Sequence, residues 1–265
     1  MIEMERMEVY ENWLRQHDEF LQLMEASAVA GHASVASLQR ILTNPSVTPT
    51  LDEFVASRRK DKEITVTINE RLCREAMPGL DREDIETLAG SLYRIPKTVE
   101  KFAERYILTA PQLRTIDFSR QTVLLAEATA ILIEMIQGLR QKKPRLQLAK
   151  LNARLQQIEG DADKLMLQLL REVYGQGHPL LMVIILKDLY ELLEKGLDRC
   201  RDAGNVIFQI ALRPSSSSRF FLLELLARLK LAFGRGPRHL WQAALPPRTT
   251  LRRVLPRSST PHDHP

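Results

Sequence analysis

The sequence predicts an all-α body of six long helices, arranged as two tandem three-helix bundles and followed by a basic C-terminal tail. Three observations carry this expectation. Apolar residues recur with the helical period through most of the first 213 residues, prolines fall where that pattern breaks, and the pattern repeats itself after 101 residues.

Seven of the 14 prolines lie before residue 214, and six of them (Pro45, Pro49, Pro78, Pro111, Pro144 and Pro179) sit at breaks in the pattern. A proline inside a helix costs about 3 kcal/mol, so these positions read as boundaries. They delimit helices over 3–42, 51–76, 82–108, 115–141, 145–175 and 180–212. The second helix opens on Thr50-Leu51-Asp52-Glu53 and the third on Asp81-Arg82-Glu83-Asp84, which place acidic groups where the helix dipole favours them. Ile64 to Ile68 is a short β-branched stretch whose helical flanks should override it. Pro96 lies inside the third helix and should kink it. On the fifth helix Leu151, Leu155, Ile158, Ala162, Leu165, Leu169 and Val173 share one face. Gly175-Gln176-Gly177 then ends it, and the longest apolar run, Leu180 to Leu186, reads as one or two turns of a buried helix.

Shifting the chain by 101 residues places Pro78 on Pro179, Ile64, Ile68 and Leu72 on Leu165, Leu169 and Val173, and Ile85, Leu88 and Leu92 on Leu186, Leu189 and Leu193. The repeat divides the body into a bundle over 1–110 and a second over 111–213, with the tail from 214 to 265.

Composition narrows the function classes. With 44% hydrophobic residues the 265-residue chain can bury a core and is not disordered as a whole. The net charge of +5 is concentrated in the tail, where nine Arg and Lys face Glu224 and Asp263; residues 1–213 carry 29 basic and 31 acidic side chains. A body of net charge −2 has no nucleic-acid footprint. Cys73 and Cys200 form neither a CxxC pair nor a disulfide framework and read as reduced thiols. The start MIEMERMEVYENW lacks the basic and apolar regions of a signal peptide, and no window holds about 18 uninterrupted apolar residues; a cytoplasmic protein is expected.

The residues that could carry chemistry lie on the last two helices. Glu159 and Asp163 are four apart on the fifth, and Glu194, Asp198 and Asp202 follow the same spacing on the sixth. Side chains four apart lie one above the other, so each helix presents a line of carboxylates. If the lines face each other, hard oxygen ligands converge and suit Mg²⁺, Mn²⁺, Ca²⁺ or iron rather than a thiolate-seeking metal. The alternative is a solvated acidic face, in which Lys195, Arg199 and Arg201 pair with the acids.

The stretch LYELLEKGLDRCRDAGNVI from Leu189 to Ile207, with LDREDI from Leu80 to Ile85, resembles the PhoU-like family of phosphate-transport regulators, and within it the accessory proteins of low-affinity inorganic phosphate transporters. The resemblance covers about residues 1–213 and is most specific over 155–210. It implies tandem three-helix bundles and a multinuclear metal site, typically iron, on the bundle surface. Glu159 with Asp163 and Glu194 with Asp198 match the family's paired acidic motifs, with Asp202 one turn further on. The first half departs from the pattern: Arg58, Lys62, Tyr93, Lys97 and Lys101 stand 101 residues before Glu159, Asp163, Glu194, Asp198 and Asp202. A metal cluster is therefore not expected there. Arg58, Lys62, Lys97 and Lys101 either form an anion site, apt for a phosphate-linked protein, or are solvated charges paired with Asp61, Glu63 and Glu100.

Other signals are weaker. His17, His32 and His178 stand alone, His239, His262 and His264 lie in the tail, and neither a Ser/His/Asp set nor a phosphate-cradling glycine loop is visible; no enzyme activity is expected. Pro214 to Ser218 reads as a flexible joint, and the amphipathic run 219–233, with Arg235 just beyond it, would either lie on an anionic membrane surface or dock on the bundle. The expected function is a non-enzymatic regulator in contact with a phosphate transporter or its sensory apparatus. The alternative is a metal-free helical scaffold whose tail mediates docking, and the sequence leaves homo-oligomerisation open.

Overall fold

The computed structural model describes residues 2–43, 50–74, 82–113 and 115–213, with side chains from Asp18 onward. All described residues belong to one compact unit. The expectations for the joint at 214–218, the amphipathic run 219–233 with Arg235, His239, His262 and His264, and for Pro45, Pro49 and Pro78 fall outside the described residues, as does the His17 side chain.

Among the described residues six α-helices follow one another: α1 (Ile2–Thr43), α2 (Asp52–Arg74), α3 (Arg82–Thr109), α4 (Ser119–Arg140), α5 (Arg145–Gly175) and α6 (Leu180–Leu212). Among the described residues there is no strand, and Ile64 to Ile68 is helical within α2. The fourth helix begins four residues later than the periodicity predicts. Ala110–Gln112, which contains Pro111, turns as a short 3₁₀ segment, and the Asp117 carboxylate then accepts bonds from the Ser119 N–H and hydroxyl, both at 2.8 Å, in a turn just before the helix, whose N-cap is Phe118. α3 runs unbroken past Pro96, where the Thr98 hydroxyl donates to the Arg94 carbonyl at 2.8 Å.

Helices α1, α2 and α3 pack on one another pairwise, as do α4, α5 and α6. The two triplets then join into one body, chiefly through α3 against α6 and α1 against α4. Polar pairs set the register. Arg140 reaches Asp18 at 2.7 Å, Gln137 reaches Glu25 at 2.8 Å, His32 meets Thr129 at 2.8 Å and Gln39 bonds the Thr122 carbonyl at 3.2 Å, so α1 and α4 run antiparallel. Arg105 with Asp188 and Arg213 with Asp84 mark the same arrangement of α3 and α6.

One continuous core runs through both triplets, with Phe20, Leu38, Ile68, Leu92, Phe102, Leu132, Leu155 and Leu197 among its buried members. Fully burying such a side chain stabilises by about 1.5–3 kcal/mol. The stripe expected on α5 is in it: Leu155, Ile158, Ala162, Leu165, Leu169 and Val173 are buried and Leu151 packs against them. α4 is long and apolar enough to cross a membrane, yet half of its apolar window is buried inside the body, as in the core helix of a bundle.

Candidate functional site

α5 and α6 form an antiparallel hairpin closed by the turn through Gly177, whose φ of +66° lies in the left-handed region that glycine adopts without strain. Near its open end the Asn152 amide donates to Asn205 at 3.2 Å. There the helices approach so closely that a Cβ on Gly204 would lie 2.3 Å from Leu155 Cδ1 and 3.2 Å from Asn152 Oδ1. The buried stripe of α6, comprising Leu189, Leu193, Leu197, Cys200 and Gly204, turns the acidic residues away from the core. Burial pushes the Cys200 thiol far above its ordinary range, so it stays protonated.

The hairpin brings the predicted carboxylates of the two helices to one face. The Glu194 carboxyl is held above its ordinary value, first by partial burial and then by the negative charges of Asp198, Asp163, Glu191 and Glu159. Glu159 and Asp163 on α5 are therefore close enough to Glu194 on α6 to act on it. A cation of the chain itself also stands in this face. Arg201 Nη1 pairs with Glu159 across the hairpin, while Nη2 lies 3.1 Å from Asp202 Oδ1 and 3.4 Å from Asp198 Oδ1. Arg199 reaches Asp202 at 3.7 Å.

The donor chemistry suits a hard cation, since every predicted ligand is a carboxylate and Glu194 feels four others. Three of the five already share the Arg201 guanidinium, and among the described residues no three His, Cys, Asp or Glu side chains stand together as a metal cluster. A metal held by Glu159, Asp163, Glu194, Asp198 and Asp202 would first have to displace that arginine.

The basic set of the first half is divided. Arg58 on α2 pairs with Glu100 on α3, a residue only 5% exposed, and the Tyr93 hydroxyl reinforces the hold on its proton. Lys97 lies 5.9 Å above the Tyr93 ring, while Lys62 and Lys101 are exposed. The pairing expected of Glu100 is present. Asp61 departs from it: the residue is completely buried on α2, and neither carboxylate oxygen has a hydrogen-bond partner. Its position on the inner face of α2, where the repeat places Ala162 on α5, puts it beyond the reach of the surface cations.

Arg201 and Glu100 hold the interhelical ion pairs and Asp61 is a buried acid, and none belongs to the predicted ligand sets. The spacing of Arg201 between Asp198 and Asp202 was a visible signal for the first. The run Leu180 to Leu186, expected to be buried, is not: only Leu186 enters the core, because the first turns of α6 lie at the end of the bundle. Leu108 at the end of α3 is 80% exposed, and Leu180, Leu181 and Ile184 at the start of α6 are exposed in the same way, so this end of the α3–α6 pair presents an apolar patch.

No protein-family model and no curated protein matches the chain. Two solved structures from Shewanella oneidensis MR-1 are similar to it. A PhoU-like protein matches with a TM-score of 0.62 and 17% sequence identity over 74% of this chain and all of the other. A second, named as a PhoU-like phosphate regulatory protein, matches with a TM-score of 0.52 and 18% identity over 75% of this chain and 98% of the other. At these identities the likeness establishes the fold, a PhoU-like helical bundle.

Proposed function

We propose that this chain is a non-enzymatic regulator or accessory protein of inorganic phosphate transport, acting in the cytoplasm by contact with a phosphate transporter or its sensory apparatus. The observation that carries the reading is the match of the whole length of a PhoU-like structure onto this body, together with the name of the second neighbour. The apolar patch of Leu108, Leu180, Leu181 and Ile184 supplies a surface for such a partner. In this reading Glu159, Asp163, Glu194, Asp198 and Asp202 are the ligands of a divalent or iron centre that clamps α5 to α6. The centre fixes the surface offered to the partner and drives no chemical step.

Affinity capture from membranes of phosphate-replete and phosphate-starved cells tests the regulatory part. Recovery of a phosphate transporter or its sensor in a phosphate-dependent manner is expected, and phosphate-independent recovery of unrelated proteins would contradict it. Elemental analysis of protein purified without chelator or affinity tag tests the cation part, because Glu194→Ala/Asp198→Ala should lose metal that the wild type retains.

A metal-free helical interaction module is the second reading. The pairing of Glu159, Asp198 and Asp202 with Arg201 favours it, since an acidic face already neutralised by the chain has less need of a bound cation.

A further inference from the structure

The ion pair across α5 and α6 has a counterpart in the other half of the molecule. Glu159 stands 101 residues after Arg58, and Arg201 stands 101 residues after Glu100. The shift that superposes the apolar stripes of the two halves therefore also superposes the two interhelical ion pairs, with their polarity reversed. In the first half an arginine on the middle helix grips a carboxylate on the third. In the second a carboxylate on the middle helix is gripped by an arginine on the third. The first-half pair forms although Lys62, Tyr93, Lys97 and Lys101 replace every other acidic motif position. A clamp at these two positions thus exists without any carboxylate motif around it.

We propose that Arg201 is the resident counter-ion of the acidic face. Its guanidinium clamps α5 to α6, and a divalent cation reaches Glu159, Asp198 and Asp202 only by displacing it. Geometry supports a single bridging role, because one planar fork serves Glu159 on the facing helix and both Asp198 and Asp202 on its own. Its surroundings do so as well. Asp163 and Glu194 add negative charge to the same face, so removing the guanidinium leaves carboxylates in mutual repulsion, with Arg199, beside Asp202, as the remaining paired counter-charge among the described residues. Displacement would exchange the guanidinium clamp for a cation-bridged one and let cation concentration bear on the hairpin. The displacement clause rests on the cation part of the proposed function; the clamp does not.

Thermal unfolding of the full chain at low ionic strength, with and without millimolar Mn²⁺, judges both clauses. Arg201→Gln should lower the midpoint by about 2–6 °C after chelation. Mn²⁺ should restore the variant and raise its midpoint by more than it raises that of the wild type. Arg201→Lys, which keeps the charge and loses the fork, should fall between the two. A Mn²⁺ titration followed by electron paramagnetic resonance should show at least a tenfold gain in affinity on Arg201→Gln. Equal affinity of the two proteins overturns displacement and leaves the metal ligands standing. No binding to either overturns displacement together with the cation part of the proposed function. The clamp is judged separately by the double variant Glu159→Gln/Arg201→Gln: effects that simply add overturn it, and non-additive effects support it.

Discussion

Asp61 on α2 and Ser27 on α1 face each other inside the first three-helix unit, in surroundings that leave the carboxylate no other polar neighbour of consequence. The Ser27 hydroxyl favours ionisation, but it closes no well-formed hydrogen bond, and burial prevails: the Asp61 carboxyl is pushed from 3.8 up to about 6. The corresponding position of the second unit is the buried Ala162, so the fold does not need an acid here.

A pH-dependent stability follows. The folded chain binds the Asp61 proton more tightly than the unfolded chain, so the penalty is full above about pH 6, shrinks as pH falls through that value and is gone below the unfolded value of 3.8. At 1.36 kcal/mol per pKa unit the full penalty is about 3 kcal/mol. Asp61→Ala is expected to be more stable than the wild type by about 1–3 kcal/mol at pH 7.5, with the gain dwindling by pH 5. Urea unfolding at the two pH values measures it, and a gain that does not change with pH would count against the assignment.

Two glycines on the α5–α6 hairpin should respond in opposite ways to alanine. At Gly204 the new methyl would meet Leu155 Cδ1 at 2.3 Å, and Leu155 is itself buried, so either its side chain repacks in the core or the helices part; a loss of about 1–3 kcal/mol is expected. At Gly160 nothing lies within 4 Å, and the better helix propensity of alanine should stabilise by up to about 1 kcal/mol. Equilibrium denaturation of both variants reads the contrast.

Phe118 sits immediately before α4 and its ring packs on two other elements, α3 and α6. Its centroid lies 5.5 Å from Phe102 and 6.1 Å from Tyr106 on α3, and 5.7 Å from Tyr190 on α6, all with the rings steeply inclined. Phe118→Ala should cost about 3–5 kcal/mol, whereas Phe118→Leu, which keeps most of the volume, should cost less. Calorimetric midpoints of the two variants check the order.

The apolar patch should separate partner binding from folding. Leu181→Ser and Ile184→Ser alter exposed positions and are expected to change stability by no more than about 0.5 kcal/mol. Capture of the membrane partner should fall sharply if the patch is the docking surface. Undiminished capture by a well-folded double variant would place the partner elsewhere.

The six helices, their order and the buried stripe of α5 were legible in the sequence because helix periodicity and proline are local signals. Leu155, Ile158, Ala162 and Leu165 share a face through backbone geometry alone, whatever packs against them. The start of α4 was misplaced because the turn in which Asp117 holds Ser119 precedes the helix, although the periodicity continues upstream of it. The five carboxylates were legible as two acidic lines at four-residue spacing. Their meeting on one face, the distribution of Arg201 among Glu159, Asp198 and Asp202, and the reversed pair Arg58–Glu100 were decided by tertiary structure. So was the burial of Asp61, which a polar residue on a charged helix gives no reason to expect. The physical reason is common to all of them. A helix's own sequence sets which residues share its face, but the rotation and register of two helices against each other are set by the whole core, and a shift of one turn moves a side chain some 5.4 Å and changes its partner.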